Sequence, residues 1–236
     1  MKIVQIFWMI VIGAGLLACS SASIFVQTDK VEINTSVPAD DSLQAFIAPY
    51  KKELAENMNR VIGYATEDLV RNRPEGTLGN FVIDETENYL EEHNWLKGKH
   101  FISVMNHGGL RAPISKGEVT VGDIYRLMPF DNTVVLAKLP ASELDSIVAY
   151  LRNSGGEPIG GFQITNEDFS LLKDAELQDT LYVITTDYLS AGGDNMSFFK
   201  RSYETVDTGI FLREALIKRV EKIDTLRPII DGRIKL

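Results

Sequence analysis

Two glycine pairs, each placed beyond an apolar run, decide where this chain must bend and where its backbone can approach a ligand. Phe101 to Met105 reads as a short buried strand; it stops at Asn106, and His107-Gly108-Gly109 follow. Glycine reaches φ > 0 without strain and lets backbone come close to another group. Leu110-Arg111 come next, so a guanidinium leaves the turn, and its planar fork of donors suits a carboxylate or a phosphate. Taken alone, these residues describe a plain tight turn with a surface arginine equally well. Thr120-Val121-Gly122-Asp123 reads as a capping box opening a short helix, with Asp in place of the longer Glu. That helix ends before Pro129, and Phe130-Asp131-Asn132 form a turn. Much later, Leu181 to Thr186 is the most strand-like run in the chain, and it leads to Gly192-Gly193-Asp194.

Together the two stretches resemble the C-terminal domain of the 5′-nucleotidase family, the group that includes bacterial UDP-sugar hydrolases and animal ecto-5′-nucleotidases. Four motifs carry the resemblance, in one order from about Val61 to the C-terminus: Leu78-Gly79-Asn80 at a helix start, Asn-x-Gly-Gly-x-Arg from Asn106 to Arg111, Pro-Phe-x-Asn from Pro129 to Asn132, and Gly-Gly-Asp from Gly192 to Asp194.

The resemblance implies a nucleotide or nucleoside ligand. Phe130 and Tyr188 map onto the two aromatic residues that sandwich the base, Tyr188 standing where phenylalanine is common. Stacking on an aromatic is worth about 1–3 kcal/mol per base and tolerates different bases. By the same resemblance Asp194 accepts hydrogen bonds from ribose hydroxyls and Asn106 contacts the base edge or sugar. Arg111, with an arginine from the loop before the Leu78 helix, grips a carboxylate or phosphate. Arg73 is the nearest candidate in that loop and Arg71 the second. His107 stands where the family usually has glycine, so it either lines the pocket or narrows it. Outside the resemblance, Phe130 and Tyr188 read as core aromatics and Asp194 as a turn former.

Hydrolysis in full-length family members belongs to a separate metallophosphatase domain with Asp-x-His, Gly-Asn-His-Asp and Gly-His-x-His segments that hold two metals. None of these segments occurs in this sequence. The expectation is a substrate-recognition domain without catalytic residues, metal or cofactor of its own. It would work in nucleotide catabolism with a metallophosphatase on a separate chain, where the divalent metals belong. The alternative is a free-standing nucleotide-binding or scaffold lipoprotein. A third reading, a hydrolase using His107, Asp194 and Arg111 for acid–base work, is the least favoured. His93, His100 and His107 are the only histidines, at a helix end, a strand start and a turn, and are not expected to converge on a metal.

The chain of 236 residues is 44% hydrophobic, enough for one good core with a small extra lobe. Its net charge of −9 argues against a nucleic-acid polymer as partner. Lys2 followed by the apolar run Ile3 to Ala18 reads as a signal peptide, too short for a comfortable membrane span. It ends Leu16-Leu17-Ala18-Cys19, which resembles a bacterial lipobox and makes the chain's only cysteine the lipid attachment point. The reading is therefore a lipoprotein signal at 1–19, a polar tether at 20–41 with one strand at Ser23 to Gln27, and the recognition domain at 42–236. The implied location is the bacterial cell envelope, on the outer membrane facing the periplasm or the surface.

Within that domain the sequence predicts an amphipathic, core-covering helix from Asp41-Ser42 to about Asn59, kinked or restarted at Pro49. Further helices are expected at Thr77 to Glu92, from Ala141 to a stop at Gly155-Gly156, and at Thr208 to Ile223, with strands at Arg60 to Ala65, Val134 to Leu139 and Gly160 to Ile164, and a last short strand after Arg227. Helices and strands alternate irregularly, so the expected class is α+β, with mixed sheets and packed helices.

Overall fold

A computed structural model describes residues 34, 38–97, 99–171, 179–227 and 229–236. The signal peptide, Cys19 and the strand expected at Ser23 to Gln27 lie outside the described residues. Helix α1, Asp41–Met58, opens on Asp40, whose carboxylate accepts from the N–H groups of Ser42 and Leu43 at 2.8 and 3.1 Å. Pro49 stands inside it and the helix continues as one element, so of the kink or second start expected there the second start does not occur. The expectation of a core-covering face is also corrected, because no residue of α1 is buried.

Residues 47–236 form one compact unit. After α1 come β1 (Val61–Ala65), α2 (Thr77–Glu92), β2 (Phe101–Val104), β3 (Gly117–Thr120) and α3 (Val121–Leu127). Then follow β4 (Thr133–Pro140), α4 (Glu143–Ser154), β5 (Ile159–Gly160), β6 (Phe162–Thr165), β7 (Phe169–Leu171), β8 (Thr180–Thr186) and α5 (Asp187–Ser190). The chain closes with β9 (Glu204–Phe211), α6 (Leu212–Ile223), β10 (Thr225–Leu226) and β11 (Ile234–Lys235). The class is α+β with mixed sheets, as the irregular alternation predicts.

The central sheet has the order β5-β2-β8-β4-β9, with β2 and β8 parallel and the other pairs antiparallel. Side chains alternate between two cores, as the two-residue period of a strand requires. Val134 and Ile184 face one core, shared with α2, α3 and α6; Ala137, Leu139, Leu181 and Val183 face a second, shared with α4. A sheet covered on both faces takes apolar residues at most positions, which is why β4 and β8 read as largely hydrophobic runs, interrupted by Lys138 in β4 and by threonines at the ends of β8. Two three-stranded sheets, β10-β1-β3 and β11-β6-β7, flank it.

The helix expected at Thr208 begins later. Glu204 to Phe211 is a strand on the outer edge of β4, with Leu136 opposite Val206, and only Leu212–Ile223 is helical. Thr205, Val206, Thr208, Ile210 and Phe211 suit a pleated surface, and the open edge of β4 supplies hydrogen bonds that the apolar periodicity of one segment does not reveal.

Candidate functional site

Sheet topology brings three of the four sequence motifs to one rim. Because β2 and β8 run parallel with Ile102 opposite Val183, their C-terminal ends lie side by side. Strand β4 runs antiparallel to β8 with Val134 opposite Thr186, so its N-terminal end joins them. The turns after β2 and β8 and the turn before β4 therefore converge.

After β2, Met105 N–H donates to the Pro158 carbonyl at 2.9 Å, and Asn106 enters a single 3₁₀ turn, His107–Gly109. Arg111 N–H then donates to the Leu127 carbonyl at 2.8 Å, which ties the turn to the end of α3. The capping box of α3 is formed as the sequence predicts: Thr120 Oγ1 accepts from Asp123 N–H, and Asp123 Oδ2 accepts from Thr120 N–H at 2.7 Å. Beyond α3 the Phe130 turn is held by Arg213, which donates to the Met128 and Phe130 carbonyls, each at 3.2 Å, and to Asp131 Oδ1 at 2.6 Å.

After β8, Thr186 caps α5 by accepting from Leu189 N–H at 3.3 Å. The chain then turns through Gly192 at φ 93° and reaches Asp194 in the left-handed region at φ 49°. Gly193 has no room for a side chain, since a Cβ there would lie 2.5 Å from Tyr188 Cε1.

The Asp194 carboxylate is the centre of the cluster. Oδ1 accepts from the Tyr188 hydroxyl at 2.8 Å and Oδ2 from Asn106 Nδ2 at 2.5 Å. The bond to Asp194 holds the Tyr188 hydroxyl above its ordinary pKa. A Cβ on Gly108 would lie 3.1 Å from both Asn106 Nδ2 and Asp194 Oδ2, so the glycine lets the turn close on the carboxylate. The Gly108 carbonyl accepts from Arg111 Nη1 at 3.3 Å, and the Arg111 guanidinium lies 6.0 Å from the centre of the Phe130 ring. Contacts thus link Tyr188, Asp194, Asn106, Arg111 and Phe130. Phe130 and Tyr188 are 44% and 47% exposed, more than core aromatics are. The rim offers two aromatic faces, a hydrogen-bonding carboxylate, an amide and a guanidinium, a set suited to a planar ring carrying hydroxyls and an anionic group.

Arg73 is engaged elsewhere. It donates to the Ser154 and Gly156 carbonyls and pairs with Glu157 at 2.6 Å. Arg71 is the arginine of that loop that touches the turn, donating to the His107 and Leu110 carbonyls at 3.1 and 3.2 Å. The His107 ring is 4% exposed, and neither of its nitrogens has a hydrogen-bond partner among the described residues. Burial, with the nearby charges of Arg73 and Arg71, lowers its pKa to about 4, so the ring is neutral near pH 7. Sequence reasoning did not single out Glu157, Tyr150 or Arg213. Each acts through a partner far along the chain, and only the Gly155-Gly156 helix stop drew any attention to that region.

Residues 61–158 match the family described as the C-terminal domain of 5′-nucleotidase. A trifunctional nucleotide phosphoesterase of Bacillus subtilis is 28% identical over 244 residues, an alignment covering 89% of this chain and 16% of that protein. Among solved structures, a 5′-nucleotidase precursor from Thermus thermophilus superposes with a TM-score of 0.65 at 24% identity, covering 85% of this chain and 44% of that one. The NAD nucleotidase of Haemophilus influenzae does so with a TM-score of 0.61 at 21% identity, covering 83% and 41%. The chain spans less than half the length of the first curated relatives it matches, from 16% to 43%. The fold is that of the 5′-nucleotidase C-terminal domain, and the segment 61–158, which holds Asn106, Arg111 and Phe130, belongs to the 5′-nucleotidase C-terminal-domain family.

Proposed function

We propose that this chain is the nucleotide- or nucleoside-recognition part of a split 5′-nucleotidase, tethered to the bacterial envelope through Cys19. The observation that carries the reading is the meeting of Asp194, Asn106 and Tyr188 with Arg111 and Phe130 at one rim, with both aromatic rings open to solvent. Phe130 and Tyr188 take the base between them, Asp194 and Asn106 take the sugar, and Arg111 takes the phosphate. Bond cleavage is assigned to a metallophosphatase on another chain. The relatives bearing nucleotidase and nucleotide phosphoesterase names support this reading, each being longer than the part this chain matches.

The test is to mix the purified chain with candidate metallophosphatases and measure phosphate release from AMP. Stimulation is expected, and Phe130→Ala should reduce it at sub-saturating AMP by roughly 5- to 100-fold, from the loss of one stacking face. No stimulation with any partner would defeat the split-enzyme reading. One observation favours the second reading, a free-standing nucleotide receptor: the Asp194 carboxylate is already oriented by Asn106 and Tyr188, so the sugar site needs no partner to organise it. Tight AMP binding in calorimetry with no gain on adding a phosphatase would select that reading.

A further inference from the structure

The two turns that meet at Asp194 share a support that lies behind them. Tyr150, on the last turn of α4, donates its hydroxyl to the Asp194 main-chain carbonyl at 3.0 Å. Glu157, just beyond the Gly155-Gly156 stop of the same helix, accepts the His107 N–H at 2.6 Å on Oε2 and Arg73 Nη2 at 2.6 Å on Oε1. The Glu157 side chain is nearly all buried, at 5% exposure, and a carboxylate so placed is tolerable only with strong donors on both oxygens.

Each turn is closed by main-chain bonds of its own, Gly109 N–H to the Asn106 carbonyl at 3.2 Å and Met196 N–H to the Gly193 carbonyl at 3.0 Å, but these do not set where one turn lies against the other. No side chain caps the 3₁₀ turn at Asn106 or the one at Gly192. Asp194 sits in a left-handed conformation that costs a residue with a Cβ about 1–2 kcal/mol unless its surroundings fix it. Its carboxylate takes Tyr188 from its own segment and Asn106 from the other turn, so it is held on both oxygens only where the two turns meet. Tyr150 bonds to one turn and Glu157 to the other, and both belong to α4 and its terminus.

We propose that Glu157 and Tyr150 are positioning residues, which hold the Asn106 and Asp194 turns at the separation where Asn106 and Tyr188 both reach the Asp194 carboxylate. Their hydrogen bonds go to the main chain of these turns and to Arg73, not to the carboxylate itself. The effect on ligand affinity rests on the recognition role proposed above; the effect on the cluster's geometry does not.

The test compares the full chain with Tyr150→Phe and Glu157→Gln in three measurements: thermal midpoint, calorimetric titration with AMP, and ultraviolet titration of Tyr188, isolated by subtracting Tyr188→Phe. Tyr150→Phe is expected to keep the midpoint within about 3 °C. It should weaken AMP binding about three- to tenfold, the equivalent of one net hydrogen bond. The Tyr188 hydroxyl, held high by its bond to Asp194, should titrate closer to the ordinary tyrosine value. Glu157→Gln should act in the same direction. Folded variants with the wild-type Tyr188 titration would overturn the proposal. Should the wild type fail to bind AMP, the recognition role falls, while the Tyr188 titration still decides the positioning role. Should Glu157→Gln fail to fold, Tyr150→Phe decides.

Discussion

His107 illustrates how one residue can hold a family position and depart from its usual chemistry. Its ring is buried, without hydrogen-bond partners among the described residues, near the guanidinium groups of Arg71 and Arg73, while its own N–H is held by Glu157. The unfolded chain takes up the imidazole proton near pH 6.5 and the folded chain only near 4. Between these values unfolding binds a proton, so this group's contribution to stability is complete above about pH 6.5 and is lost as pH falls toward 4. Roughly 3 kcal/mol is at stake over that window. Urea unfolding at pH 7 and pH 4.5 should show a larger loss in the wild type than in His107→Gln, which has no group titrating there. Equal losses would mean that the ring is solvated in the folded protein. A ring closed off from solvent and lowered in pKa to about 4 is a weak base out of reach of a ligand, which counts against the reading of this chain as a hydrolase that uses His107 as its base.

What the sequence revealed at this scale follows the range of the interactions. Asn106, Gly108, Arg111, Phe130 and Asp194 were legible because each belongs to a motif within a few residues of a glycine or proline. Glu157, Tyr150 and Arg213 were not, because their partners His107, Asp194 and Met128 lie far away in the chain.

Among the elements, local signals were dependable where they ended helices and weak where a sheet edge competed. The stop of α4 was readable from Gly155-Gly156, and both glycines have positive φ, 75° and 97°. They are not equivalent. A Cβ on Gly155 would meet nothing within 4 Å, whereas one on Gly156 would lie 2.5 Å from the Pro74 carbonyl oxygen. Gly155→Ala should therefore cost roughly 1 kcal/mol, the strain of the left-handed conformation alone. Gly156→Ala should cost roughly 2–3 kcal/mol and shift the Arg73 loop, measured as a lower thermal midpoint and a changed environment of Arg73. By contrast the helix pattern runs back over Thr208 to Phe211, the second half of β9, since nothing there announces that β4 has an unfilled edge. Likewise α1 was expected to cover the core on the strength of an apolar stripe, of which the structure buries none fully and packs Met58, at its end, partly against the core. Periodicity reports which residues share a face and not what that face meets.

For the whole molecule, the reading divides the chain into an anchored leader and a folded unit. Cys19→Ser should abolish incorporation of labelled fatty acid and move the protein from the membrane to the soluble fraction. Retention in the membrane would count against lipid attachment at that cysteine. The folded unit ends on one side at β9, which among the described residues pairs only with β4 and is mostly exposed along its length. An unfilled strand rim invites a neighbouring copy to extend the sheet. Glu204 and Asp207 stand on this one, Glu204 with Lys138 of β4 at 4.0 Å. Charged side chains on an unfilled edge oppose its pairing with a second copy, so concentrated salt, which screens them, is the condition under which growth from this edge becomes easier.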